Sequence, residues 1–127
     1  MGLDMYVYQV KKGKKIDWRN NKEMLYWRKA NAIHDWFVDN IQGGEDDCNA
    51  YNLGPDKAMQ LALLCQRIVK EPEKASDLLP TAEGFFFGST DYDEWYHEQV
   101  AYTAEWLEKA VLTTNFDTHD LVYSSSW

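Results

Sequence analysis

Asn31 and His34 stand three residues apart within Tyr26-Trp27-Arg28-Lys29-Ala30-Asn31-Ala32-Ile33-His34-Asp35-Trp36-Phe37-Val38, a stretch rich in aromatic and aliphatic side chains. On a helix that spacing puts both on one face. Two polar side chains on an apolar face must find hydrogen-bond partners, because a group left buried and unpaired costs about 1–3 kcal/mol. Those partners are either protein groups, which makes the pair satisfied core residues, or a ligand. In the second case Asn31 offers a donor and an acceptor and His34 offers either. The two then become the polar handles of an aromatic cavity, the usual build of a small-molecule site.

A second stretch, Gly84-Phe85-Phe86-Phe87-Gly88-Ser89-Thr90, sets three phenylalanines between two glycines and leads into the last helical pattern. A glycine turn that enters a helix can hold an anion on its free amides. Phosphate-loop chemistry is disfavoured here: the lysine is missing, the glycine spacing is one short of the Walker pattern, and Asp91, Asp93 and Glu94 would repel phosphate. The phenylalanines read better as an aromatic wall with Gly88 and Ser89 at a pocket rim. The expected ligand-binding residues are therefore Trp27, Asn31, His34, Phe87, Ser89, Asp91, Tyr92 and Trp95.

Other constellations lack parts. Glu94-x-x-His97 places a carboxylate and an imidazole on one helix face, but carboxylate-bridged metal sites need a second such pair and further glutamates, and none is supplied. Both His97 and His119 are expected to face solvent. Ser89, Cys48 or Cys65 can be combined on paper with His34 and Asp91, yet no nucleophile elbow or Cys/His signature accompanies them. No catalytic residue, metal or cofactor is expected. Glu45-Asp46-Asp47 lacks the alternating spacing of a calcium loop and reads as a solvated connector.

Residues 3–10 alternate, with Leu3, Met5 and Val7 on one side and Asp4, Tyr6 and Tyr8 on the other, which predicts a strand. Lys11 to Lys15 form a lysine-rich turn about Gly13. Helical spacing of Met24, Trp27, Val38 and Ile41, with Asn31 and His34 on the same stripe and Tyr26, Ala30, Ile33 and Phe37 on an adjacent one, predicts a long central helix over residues 22–41, ended by Gly43-Gly44. A second helix starts at Gly54-Pro55-Asp56, buries Leu61, Leu64, Cys65 and Ile68, and stops at Pro72. A short helical turn over 73–79 precedes Pro80. The last helix runs from about residue 91 to 112, capped by Thr90 or Asp91, with Trp95, Tyr96, Val100, Thr103, Trp106, Leu107 and Ala110 along one side. Residues 121–125 have strand character and are expected to pair with residues 3–10, with Trp127 packed on the domain.

The fold class expected is α+β: three main helices packed on a small antiparallel sheet made by the N- and C-terminal strands, in a single domain over residues 1–127. With 127 residues, six Trp, eight Tyr and five Phe, the chain can fill a core without a metal or disulfide staple. Two cysteines without zinc or redox spacing, and no leader-like stretch at the start, point to a reduced cytosolic setting. The longest apolar runs fall well short of the roughly 20 residues a membrane span needs, so no membrane association is expected.

The net charge of −8 is uneven: residues 1–29 hold eight Lys and Arg against three acids, and residues 30–127 hold five against eighteen. An acidic bulk disfavours general nucleic-acid binding, and an acidic DNA mimic would be more densely charged.

Several stretches together resemble a family of small uncharacterised proteins encoded by bacteriophages and prophages. They are Gly2-Leu3-Asp4-Met5-Tyr6, the 26–38 stretch, Asp46-Asp47-Cys48, Leu79-Pro80-Thr81 with residues 84–89, Tyr92-Asp93-Glu94-Trp95-Tyr96, and the terminal Tyr123-Ser124-Ser125-Ser126-Trp127. The similarity covers nearly the whole chain and assigns no catalytic residue. It implies a protein made in the host cytosol, where small phage proteins often block defence by gripping a host protein or sequestering a nucleotide-derived signal. For the second role, Asn31 and His34 suit a base or ribose edge, and Trp27, Phe87, Tyr92 or Trp95 suit ring stacking. The basic 11–28 stretch suits phosphate. A protein-interaction inhibitor of a host factor is the alternative, and a small enzyme acting on such a ligand is the third.

Overall fold

Met5 and Val7 are fully buried while the alternating Asp4 and Tyr6 are not, and this pattern makes Asp4–Lys11 the first strand, β1. In the computed structural model, which describes residues 2–81 and 91–127, β1 is followed by β2 (Lys22–Arg28), α1 (Asn31–Ile41), β3 (Tyr51–Leu53), α2 (Pro55–Lys70), α3 (Ala75–Leu78), α4 (Glu94–Thr113) and β4 (His119–Ser126). The fold is α+β. One antiparallel sheet has the order β2-β1-β4-β3, so the two ends of the chain form its centre. Gln9 pairs with Leu121 and Met5 with Ser125, the pairing expected of the C-terminal segment.

The 22–41 segment departs from the single helix its spacing predicts. Residues 22–28 are β2, and only Asn31–Ile41 is helical. Leu25 and Trp27 point inward while Tyr26 and Arg28 point out. Met24 and Trp27 fit a helical stripe as well as a strand over so short a run, and the ladder with β1 decides between them. Lys29 then takes a left-handed φ of 55°, which turns the strand into the helix, while its amide donates to the Leu3 carbonyl at 2.7 Å. At the far end of α1, Gly43 and Gly44 take positive φ, and the Gly44 amide closes on the Val38 carbonyl.

The remaining helices lie close to their expected bounds. Pro55 opens α2, whose Leu61, Cys65 and Ile68 are fully buried, and a 3-10 turn at Pro72–Lys74 leads into α3. The cap of α4 is Asp93, not Thr90 or Asp91: its carboxylate accepts from the Tyr96 amide at 3.0 Å. Within α4, Tyr96, Val100, Thr103, Leu107 and Ala110 face the core, whereas Trp95 and Trp106 turn outward.

α1, α2 and α4 pack on one face of the sheet, around Met5, Val7, Leu25, Trp27, Leu121 and Tyr123. The other face carries Tyr8, Val10 and Val122 under Ile16 of the 12–21 loop.

Burial pushes the Cys65 thiol up to about 12, which fits its expected place as core filler, while Cys48 is exposed. In native protein at pH 8, Ellman's reagent is expected to titrate one thiol rapidly and the second only after denaturant is added. Two fast thiols would mean the α2 face opens readily.

Candidate functional site

The β2–α1 junction meets the first turns of α4 in a cleft. Lys29, Asn31 and Ile33 line one wall, and Asp91, Asp93, Trp95, Tyr96 and Gln99 line the other. Each side is fixed from below. Asn31 opens α1 and folds its side-chain oxygen onto the Ala32 amide at 2.9 Å, since no side chain caps that helix from outside. Tyr96 forms the floor: its hydroxyl donates to the Leu79 carbonyl at 2.6 Å, and burial pushes the phenol up, so it stays a neutral donor. Trp95, the preceding residue, points the other way and is 48% exposed at the rim.

Three expected site residues, Asn31, Asp91 and Trp95, thus come together. The cleft is narrow and encloses only about 20 Å³, room for about one water. Its polar groups are of mixed sign, with the Lys29 side chain from one wall and the Asp91 and Asp93 carboxylates from the other.

The other expected residues go elsewhere. His34, one turn along α1, is fully buried, with Nδ1 2.6 Å from the Tyr123 hydroxyl and Nε2 2.8 Å from the Asp46 carboxylate. A neutral imidazole satisfies both: Nε2–H donates to Asp46, and Nδ1 accepts from Tyr123. Trp27 is core as well; its indole N–H donates to the Thr103 hydroxyl at 2.8 Å, and its ring meets Phe37 edge-on. Tyr92 lies beside the cleft: its ring packs edge-on against Tyr96, and its hydroxyl accepts from the Thr81 amide. Phe87 and Ser89, with the rest of residues 82–90, lie outside the described residues.

Lys29, Asp93 and Gln99 are cleft residues that sequence spacing did not single out. The usable signal for Lys29 was its place between a strand-like run and a helix start, where the chain must turn. His97 and His119, expected at the surface, are both half-buried, His97 edge-on to Tyr96 and His119 at the start of β4. Among the described residues no group of three or more His, Cys, Asp or Glu gathers at metal-binding distance, and no helix is long and apolar enough to cross a membrane.

Compared with protein-family models, curated proteins and solved structures, the chain gives no match.

Proposed function

We propose that the chain is a phage-encoded binding protein that holds a small polar or nucleotide-derived ligand at the Asn31–Trp95 cleft and acts in the host cytosol as a sequestering, counter-defence factor. The observation that carries this is the convergence at one point of a non-glycine residue in left-handed backbone, Lys29, a buried amide, Asn31, and an outward tryptophan, Trp95. Left-handed backbone at such a residue costs of order 1 kcal/mol and tends to collect at functional sites. Because the enclosed space is small, a ring sits at the mouth on the Trp95 indole, and its polar edge reaches inward to Asn31. The Lys29 ammonium meets a phosphate or carboxylate, and Asp91 and Asp93 meet amino or hydroxyl donors.

Native mass spectrometry of protein incubated with infected-cell extract tests this. A bound small mass is expected, accompanied by a stability gain of about 2.7 kcal/mol when the ligand stands at 100 times its Kd. Trp95→Ala should keep the fold, since the side chain is half exposed, and lose the mass. A bare protein in extract, or a bound mass that both Trp95→Ala and Asn31→Ala retain, would remove the cleft as the site.

One observation favours the second reading, inhibition of a host protein. Val69 on α2 and Trp106 and Leu112 on α4 are 50%, 44% and 70% exposed, and a groove of about 390 Å³ runs between the two helices past Gln66, Val69 and Ala101. Capture of one host protein, lost on Trp106→Ala and kept on Trp95→Ala, would favour it.

A further inference from the structure

All of the described helices pack on one face of the sheet, and among the described residues the opposite face is covered only in part. Ile16 seals Tyr8, Val10 and Val122. Beside that seal the aromatic side chains continue into the open. Tyr6 stacks on Tyr8 with ring centroids 5.7 Å apart, and Tyr26 of the neighbouring strand lies 5.3 Å from Tyr6 and is 39% exposed. A groove of about 490 Å³ is lined by Tyr6, Tyr8 and Trp18, the last 64% exposed, together with Ser124 and Ser126.

The hairpin that carries this platform holds most of the chain's cations. Lys11, Lys12, Lys14, Lys15, Arg19 and Lys22 are all exposed along it. Lys12 is tied to Asp120 at 2.7 Å, and among the described residues the other five make no ion pair. The opposing carboxylates are few: Asp17 lies in the loop, Asp4 accepts from the Tyr26 hydroxyl at 2.6 Å, and Glu23 stands close enough to help raise the Tyr6 and Tyr8 phenols. The remainder of the molecule, at −13 over residues 30–127, lines the groove through Cys48 and Ser124 to Ser126, none of which is acidic.

We propose that this face binds single-stranded nucleic acid, with bases stacked on Tyr6, Tyr26 and Trp18 and phosphates running along the hairpin lysines. A sheet that exposes aromatic rings beside a basic strip is the arrangement that holds unpaired bases, because every base has a π-face to stack while its phosphates seek cations. A duplex hides those faces and would meet only the lysines. Polarisation of charge reconciles the site with a net charge of −8: the strand is drawn to one edge and repelled from the rest.

The test uses the full chain and fluorescein-labelled twelve-residue oligo(dT) and oligo(U), followed by anisotropy at low salt. Saturable binding is expected, weakening with salt at a log–log slope of about −0.7 per phosphate contacted. Trp18→Ala and the pair Lys14→Glu/Lys15→Glu should each weaken it roughly tenfold or more, with unchanged circular dichroism. Trp95→Ala should leave it alone, which separates this site from the helical cleft. No anisotropy change up to about 100 µM protein, the weak end of ordinary non-specific affinity, overturns the proposal. So does equal affinity for duplex, or binding that Trp18→Ala leaves intact, and a protein captured on this face without oligonucleotide binding would do the same.

Discussion

A chain ended at Asp120 is expected not to fold. The seven residues removed include six of the eight in β4, which lies between β1 and β3 and pairs with β1 along its whole length. They also include Leu121 and Tyr123, both fully buried, the latter stacked on Phe37 with centroids 3.9 Å apart. Truncating one large buried aromatic costs about 3–5 kcal/mol, and here a second core residue and a central ladder go with it. The sum exceeds what a domain with a typical 5–15 kcal/mol can lose. The truncated protein should show no cooperative thermal transition by circular dichroism, while removal of Trp127 alone, 36% exposed, should shift the midpoint by only a few degrees. A cooperative transition in the longer truncation would mean that β3 and β1 can close the sheet without β4.

The terminal strands were legible because period-2 alternation in residues 3–10 and the β-branched Val122 and aromatic Tyr123 after Leu121 leave little else to form. Helices α2 and α4 were legible from Pro55, Pro72 and the acidic start of α4. What failed was β2. Over seven residues a strand with two inward side chains and a helix with one apolar stripe place hydrophobic groups at overlapping positions, and only the partner strand, fixed by tertiary pairing, separates them. The same ambiguity merged β2 with α1 and put Trp27, Asn31 and His34 on one imagined face. In the fold Trp27 belongs to the sheet and reaches Thr103, Asn31 starts a helix, and His34 looks toward β4.

The candidate site was legible in part for a related reason. Asn31, Asp91 and Trp95 meet because two chain segments enter their helices side by side, an arrangement to which each segment's own pattern is blind. The outer sheet face was hidden more completely. Tyr6, Tyr8 and Tyr26 form a row only once the register of β1 and β2 is known, and Trp18 joins it through a loop with no periodicity to read.

The second large effect is expected at His34 and Tyr123, and it distinguishes a structural histidine from a ligand handle. The pair joins α1 to β4 across 89 positions at 2.6 Å, and through Nε2 it also ties down Asp46. His34→Ala removes the partner of a fully buried phenol, which alone costs about 1–3 kcal/mol, and leaves a cavity as well. Tyr123→Phe removes the same bond from the other side. If the two act as one unit, the double variant His34→Ala/Tyr123→Phe loses clearly less than the sum of the two single losses in urea unfolding, since both polar ends go together. Alkaline pH gives an independent readout. Burial raises the Tyr123 phenol well above 10.0, with Asp46 adding to it, so the folded state keeps a proton that the unfolded chain gives up. That contribution is fully present below pH 10 and is lost as pH rises beyond it. Tyr123→Phe should therefore flatten the fall in stability above pH 10, leaving the share of the other raised groups, among them the Cys65 thiol and the Tyr96 and Tyr26 phenols. Additive losses, or a fall above pH 10 as steep in Tyr123→Phe as in the parent, would show that the bond does not hold α1 to the sheet and would reopen His34 as a group available to a ligand.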